Sequence, residues 1–192
     1  STFLPSGFIL SFRLVFGIHT LYEWSHSEIV QNDPILLGKA AFLNTPGFVA
    51  HTIGFFLIWM MLTKVIRHYS NQQDVDGSDR WTYKIQRISP LFLILFALTY
   101  TFFSYDWLMS IRPHWFSTIF AIYTFAGLMV NTLAVVVFVT LYLKEQGFLD
   151  SVVSEDHLHD LGKLIFGFST FWAYIWLSQY LLIWYSNIPE ET

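Results

Sequence analysis

Residues 102–120 read F-F-S-Y-D-W-L-M-S-I-R-P-H-W-F-S-T-I-F. An apolar segment enters this stretch and another leaves it. Between them stand Asp106, Arg112 and His114, bracketed by Trp107 and Trp115. Tryptophan collects at the boundary between lipid and water, and an acid less than two helical turns inside that boundary is a functional candidate by default. Pro113 suits the first position of a helix, where its missing N–H would have no partner anyway. The stretch therefore predicts a tight hairpin, built on Arg112, Pro113 and His114, between two membrane helices.

Composition sets the class. Of 192 residues 54% are hydrophobic and 20% aromatic, while 12% are charged, about half the charged share of an ordinary soluble domain. The charges fall in a few short clusters separated by long apolar runs. The expectation is an all-α integral membrane protein, with residues 1–192 forming a single membrane helical domain. A net charge of −4, with no basic patch interleaved with aromatics, gives no sign of nucleic-acid binding. Cysteine is absent, so the chain holds no structural disulfide and no cysteine-ligated cluster.

Five spans are expected, at about 3–24, 46–67, 88–110, 113–143 and 161–185, packed as a bundle. Arg13 and His19 interrupt the first. His19, Glu23 and His26 share a face if that helix continues, giving a protonatable surface at its end. Asn44 and Thr45 before Pro46 make a sound start for the second span, and His51 lies about 8 Å inside it. The stretch 64–87 reads as a polar loop. Its aspartates around Gly77 do not fit a calcium loop. Along the fourth span Ser117, Thr124 and Asn131 recur every seven residues, and Thr170, Tyr174, Ser178 and Tyr185 form a stripe on the fifth. Such stripes should face protein rather than lipid tails. The cluster Asp156, His157, His159 and Asp160 reads as an acidic first helical turn rather than a metal site, because i and i+2 point to different sides of a helix.

Alternation of five spans places the 64–87 and 144–163 connections on one side, with seven Lys or Arg, and leaves Lys39 and Arg112 on the other. The richer side is expected to be cytoplasmic. Asp106, Glu23, His26 and the 102–120 hairpin would then face outward, with Arg112, His114 and His26 as the donors available to Asp106 on that side. No nucleophile–base pair, phosphate-binding glycine loop or H-E-x-x-H helix is present. The residues leave proton conduction, quinone binding, haem binding and ion transport open. Bis-histidine haem is disfavoured, since only His51 lies clearly inside a span. The candidate proton-transfer groups are Asp106, Glu23, His26, Asn131, Tyr174, Ser178, Asp160 and His159. No catalytic residue and no metal ligand is assigned.

Three further stretches join the opening one: H-T-L-Y-E-W-S-H at 19–26, K-A-A-F-L-N-T-P-G-F at 39–48, and H-D-L-G-K-L-I-F-G-F-S-T-F-W-A-Y-I-W-L-S-Q-Y-L-L-I-W-Y-S-N-I-P-E-E-T at 159–192. Together they closely resemble the second NrfD-like membrane subunit of bacterial alternative complex III, a quinol:cytochrome c oxidoreductase. The resemblance covers most of the chain. It implies a multi-pass subunit of about ten helices in the bacterial inner membrane, of which this chain would be a fragment; the absence of an initiator Met agrees. It implies no cofactor bound by the chain itself and quinol as candidate ligand. Haem c and iron–sulfur clusters would sit in partners: a multihaem cytochrome c subunit, an iron–sulfur subunit and a paralogous NrfD-like membrane subunit. The position of His51 is often arginine in that family. The competing classes are a non-catalytic membrane scaffold and an unrelated ion or solute transporter.

Overall fold

The computed structural model describes residues 17–149 and 152–186. Residues 3–16, most of the first expected span, lie outside them. The described residues are helical, with no strand among them. They divide into two units, one up to Phe116 and one from Ser117.

The first unit opens with short helices. These are α1 (Ile18–Leu21), a 3₁₀ turn (Glu23–Ser25), α2 (Ser27–Asn32) and α3 (Pro34–Lys39). Tyr22 is extended, at φ −116° and ψ 114°, and ends α1. His19, Glu23 and His26 are therefore not one helical face. His19 and His26 still meet, with ring centroids 5.5 Å apart, because the turn between them folds the chain back. Asp33 caps α3, accepting the N–H groups of Ile35 and Leu36.

Two long helices follow, α4 (Thr45–Asp76) and α5 (Asp79–Trp107). Asn44 caps α4, its side-chain oxygen accepting the Gly47 N–H at 2.7 Å. The helix does not stop near Arg67. It runs to Asp76, where Gly77 takes the left-handed conformation at φ 64° and donates to the Gln73 carbonyl at 2.8 Å. Asp76 accepts the Ser78 N–H, and Ser78 caps α5 by accepting from Arg80. The stretch 64–87, expected as a loop, is thus helix on both sides of a two-residue turn. Its charges mark where the apolar runs of the two helices end, and its local caps keep the chain helical beyond them. Pro90 lies inside α5.

The faces of α4 and α5 are joined by tryptophan and threonine. Trp59 donates its indole N–H to Thr99 at 2.8 Å, and Trp107 donates to Thr52 at 3.0 Å. Away from this seam the helices are apolar and open: Leu57, Met61, Leu93 and Leu98 are each more than half exposed. A helix that is apolar on its exposed face is a membrane helix or the core of something larger. Three helices, Thr45–Asp76, Asp79–Ile111 and Phe120–Glu145, are long and apolar enough to cross a membrane.

The core of this unit lies at the Asn44 end of the hairpin. Ile18, Tyr22, Trp24 and Leu36 pack on Phe48 and Trp107. The short helices thereby cap one end of α4 and α5. After Trp107 the chain makes a 3₁₀ turn (Met109–Ile111) and continues without helix through the end of the first unit.

The second unit is a pair of helices, α6 (Phe120–Glu145) and α7 (Glu155–Ser186). α6 begins at Phe120 rather than Pro113. Side chains outside the helix hold the intervening residues: Lys39 binds the Pro113 carbonyl, and His114 binds Asp33. A helix starting at Pro113 would have to give up those partners. α6 and α7 approach at Gly127, where an added Cβ would lie 3.4 Å from the Trp172 ring. Tyr123 with Trp172 and Phe125 with Phe168 extend the contact, at centroid distances of 5.7 and 6.4 Å. No Asp, Glu, Lys or Arg lies between Lys163 and Ser186, though Trp, Tyr and Gln179 interrupt the apolar run.

Candidate functional site

Asp106 is 2% exposed, beneath the cap of short helices. The sequence suggested Arg112, His114 or His26 as its partner. The structure gives it His51 instead, with imidazole Nδ1 to carboxylate Oδ2 at 3.1 Å. The two are 55 residues apart in the chain. His51 sits nearly two turns into α4 and Asp106 in the last turn of α5, and antiparallel pairing brings these depths level.

The pair is asymmetric. The Asp106 side chain is 3% exposed and that of His51 40%. An imidazole open on one side and bonded to a buried acid on the other can take a proton from outside and share it inward. Histidine suits this task, because its ordinary titration range spans neutral pH. The ring is held by Phe55, stacked at 5.9 Å, and Phe42 at 5.7 Å.

Backbone groups around Asp106 are also bonded. Ser110 donates its hydroxyl to the Asp106 carbonyl. The buried Tyr22 hydroxyl donates to the Trp107 carbonyl at 2.9 Å. Both carbonyls belong to the last turn of α5 and would otherwise lack an intrahelical partner. The acid's position is therefore fixed from the cap as well as from α4.

Beside the pair is an apolar cavity of about 340 Å³. Phe42, Tyr105, Met109, Ser110 and Trp115 are among its walls, and Lys39 stands at it too. Lys39 donates to the Pro113 carbonyl at 2.5 Å and lies 5.8 Å from the Phe116 ring centroid. Phe42 is common to the cavity and to the His51 ring contact.

The other expected groups are placed differently. Glu23 and His26 are exposed, and His26 donates to the His19 carbonyl at 2.8 Å. Arg112 is exposed, Pro113 is buried, and His114 forms its pair with Asp33 at 2.5 Å. That bond holds the Asp33 carboxyl below its ordinary range. In the second unit Asn131 donates to the Gly127 carbonyl at 2.9 Å, and Thr124 to the carbonyls of Phe120 and Ala121, all within α6. Tyr174 is 66% exposed and Ser178 is half-buried. Among the described residues no hydrogen bond joins the α6 stripe to the α7 stripe; α6 and α7 meet through Gly127 and aromatic rings. Asp160 pairs with Lys163 at 3.0 Å, which holds its carboxyl below the usual range. His159 is exposed. His157 accepts the Ser154 N–H at 3.1 Å, helping to start α7. Among the described residues no group of three or more His, Cys, Asp or Glu is placed to hold a metal.

No protein-family model matches the chain, and no curated protein matches it.

Proposed function

We propose that this chain handles protons at a membrane boundary as an integral subunit of a bacterial quinol:cytochrome c oxidoreductase. It would be the second NrfD-like, ActF-type subunit of an alternative complex III in the inner membrane. The observation that carries the proton role is the His51–Asp106 pair: a buried carboxylate reached through a partly exposed imidazole, at the end of two membrane helices. The motifs at 19–26, 39–48, 102–120 and 159–192 support the assembly. In this reading α7 is a further span in addition to the three long apolar helices. The Gly77 turn is cytoplasmic and the Asp106 end faces outward. Haem c and iron–sulfur clusters belong to the partner subunits. Quinol is the candidate ligand of the apolar cavity beside the pair, where Ser110 and Lys39 supply polar groups.

A scaffold that only anchors redox partners is the second reading. It is favoured by the α6 stripe, whose Thr124 and Asn131 groups are satisfied within their own helix. Asp106→Asn in the reconstituted complex separates the two. The proton-handling reading expects electron transfer to continue while proton movement falls at least several-fold. Unchanged proton movement would leave the scaffold.

A further inference from the structure

At the opposite end of the α4–α5 hairpin lies a second hollow, of about 500 Å³, lined by Arg80, Tyr83, Lys84 and Arg87. These positions fall at i, i+3, i+4 and i+7, so they share one face of α5. Arg87 is the last charged residue before the uncharged run 88–105. That run spans about 27 Å at 1.5 Å per residue, close to the ~30 Å hydrocarbon thickness. Arg87 therefore stands at the lipid boundary. Lys84 lies about 4.5 Å beyond it and Arg80 about 10 Å, across the depth of a headgroup layer.

Arg80 lies within electrostatic reach of Asp76, but among the described residues no carboxylate forms a salt bridge with Arg80, Lys84 or Arg87. Asp76 is engaged by the Trp81 indole at 2.7 Å and the Ser78 N–H at 3.0 Å. The Lys84 ammonium instead sits 4.1 Å from the Trp81 ring centroid and 5.3 Å from that of Tyr69. Such contacts position a cation without cancelling its charge. Three like charges around one hollow repel one another until an anion enters. The same face continues into the apolar layer as Leu91, Ile94 and Leu98, which are 54%, 60% and 57% exposed.

We propose that this hollow binds the headgroup of an anionic phospholipid from the adjoining leaflet. Arg80, Lys84 and Arg87 would meet the phosphodiester, and the acyl chains would lie along Leu91, Ile94 and Leu98. The apolar continuation favours a lipid over a free phosphate, which has no use for it. Basic pockets at this depth are known to select acidic headgroups.

The test is calorimetric titration of the full detergent-solubilised chain with dioctanoyl phosphatidylglycerol, dioctanoyl phosphatidylcholine and sodium phosphate. Phosphatidylglycerol should bind at least tenfold tighter than phosphatidylcholine, with phosphate weaker than either. Lys84→Gln alone should weaken phosphatidylglycerol about fivefold, the worth of one cation near such a surface. Arg80→Gln/Lys84→Gln/Arg87→Gln should abolish the preference. Lys64→Gln/Arg67→Gln removes two positive charges from α4 and should change it less than twofold. Equal binding of the two lipids would overturn the proposal. So would an equal loss in the α4 variant, which means diffuse charge, or phosphate binding as tightly as the lipid. Retained helicity and melting temperature qualify each variant, and Lys84→Gln alone decides the matter if the triple variant does not fold.

Discussion

Replacing His51 by alanine should strand a buried charge. Asp106 loses its side-chain partner, yet its own side chain is only 3% exposed. Breaking a buried pair from one side costs about 3–5 kcal/mol. The His51 side chain is 40% exposed, so water already screens the pair, and the cost should fall near the bottom of that range, about 3 kcal/mol. Asp106→Asn keeps the shape and a hydrogen bond to the ring while removing the charge, and should cost about 1 kcal/mol. The double variant has no charge left to strand. It should lose about 2 kcal/mol rather than the sum of the singles, a coupling of about 2 kcal/mol. The assay is equilibrium unfolding of each protein in mixed dodecyl sulfate and maltoside micelles, followed by tryptophan fluorescence. Single-variant losses that add to within about 0.5 kcal/mol would refute the pairing.

Tyr22→Phe removes the donor to the Trp107 carbonyl while keeping the ring that packs on Phe48; a loss of about 1–3 kcal/mol in the same unfolding assay is expected, and a loss below 0.3 kcal/mol would contradict it. Asp33 should titrate below the ordinary carboxylate range because His114 binds it. Its folded pKa is depressed, so its contribution to stability is present above the unfolded pKa and lost as pH falls through the folded one. Carboxyl carbon NMR of the wild type and of His114→Gln checks this, the variant moving the Asp33 midpoint upward. Val75, 83% exposed near the Gly77 turn, is a suitable topology probe in a chain without cysteine, and it spares the Ser78 cap. Val75→Cys in intact cells should resist an impermeant maleimide applied from outside; ready labelling would reverse the proposed orientation.

The helical class, with helices long and apolar enough to cross a membrane, was legible because apolar runs of that length need no tertiary information. The Asn44–Pro46 start was legible for the same reason, since a cap and a first-turn proline act locally. The extension of α4 to Asp76 was not, because polarity marks the end of an apolar run and not the end of a helix. Nor was the connection around Pro113, whose partners Lys39 and Asp33 lie far off in the chain. Asp106 stood out as an acid at membrane depth, but its partner needed the register between α4 and α5, which no spacing within one helix reveals. The seven-residue stripe on α6 misled differently. A seven-residue period places polar groups on one face, yet Thr124 and Asn131 turn back to their own carbonyls, and Gly127 with Trp172 forms the seam.

Purification of the chain from its native membrane, followed by a dithionite-reduced minus oxidised haem spectrum, tests the proposed assembly most directly. The account predicts co-purifying c-type haem, with several haems per chain, that quinol reduces. A preparation that retains its membrane partners yet carries no haem and no quinol-dependent reduction would contradict membership of a quinol:cytochrome c oxidoreductase.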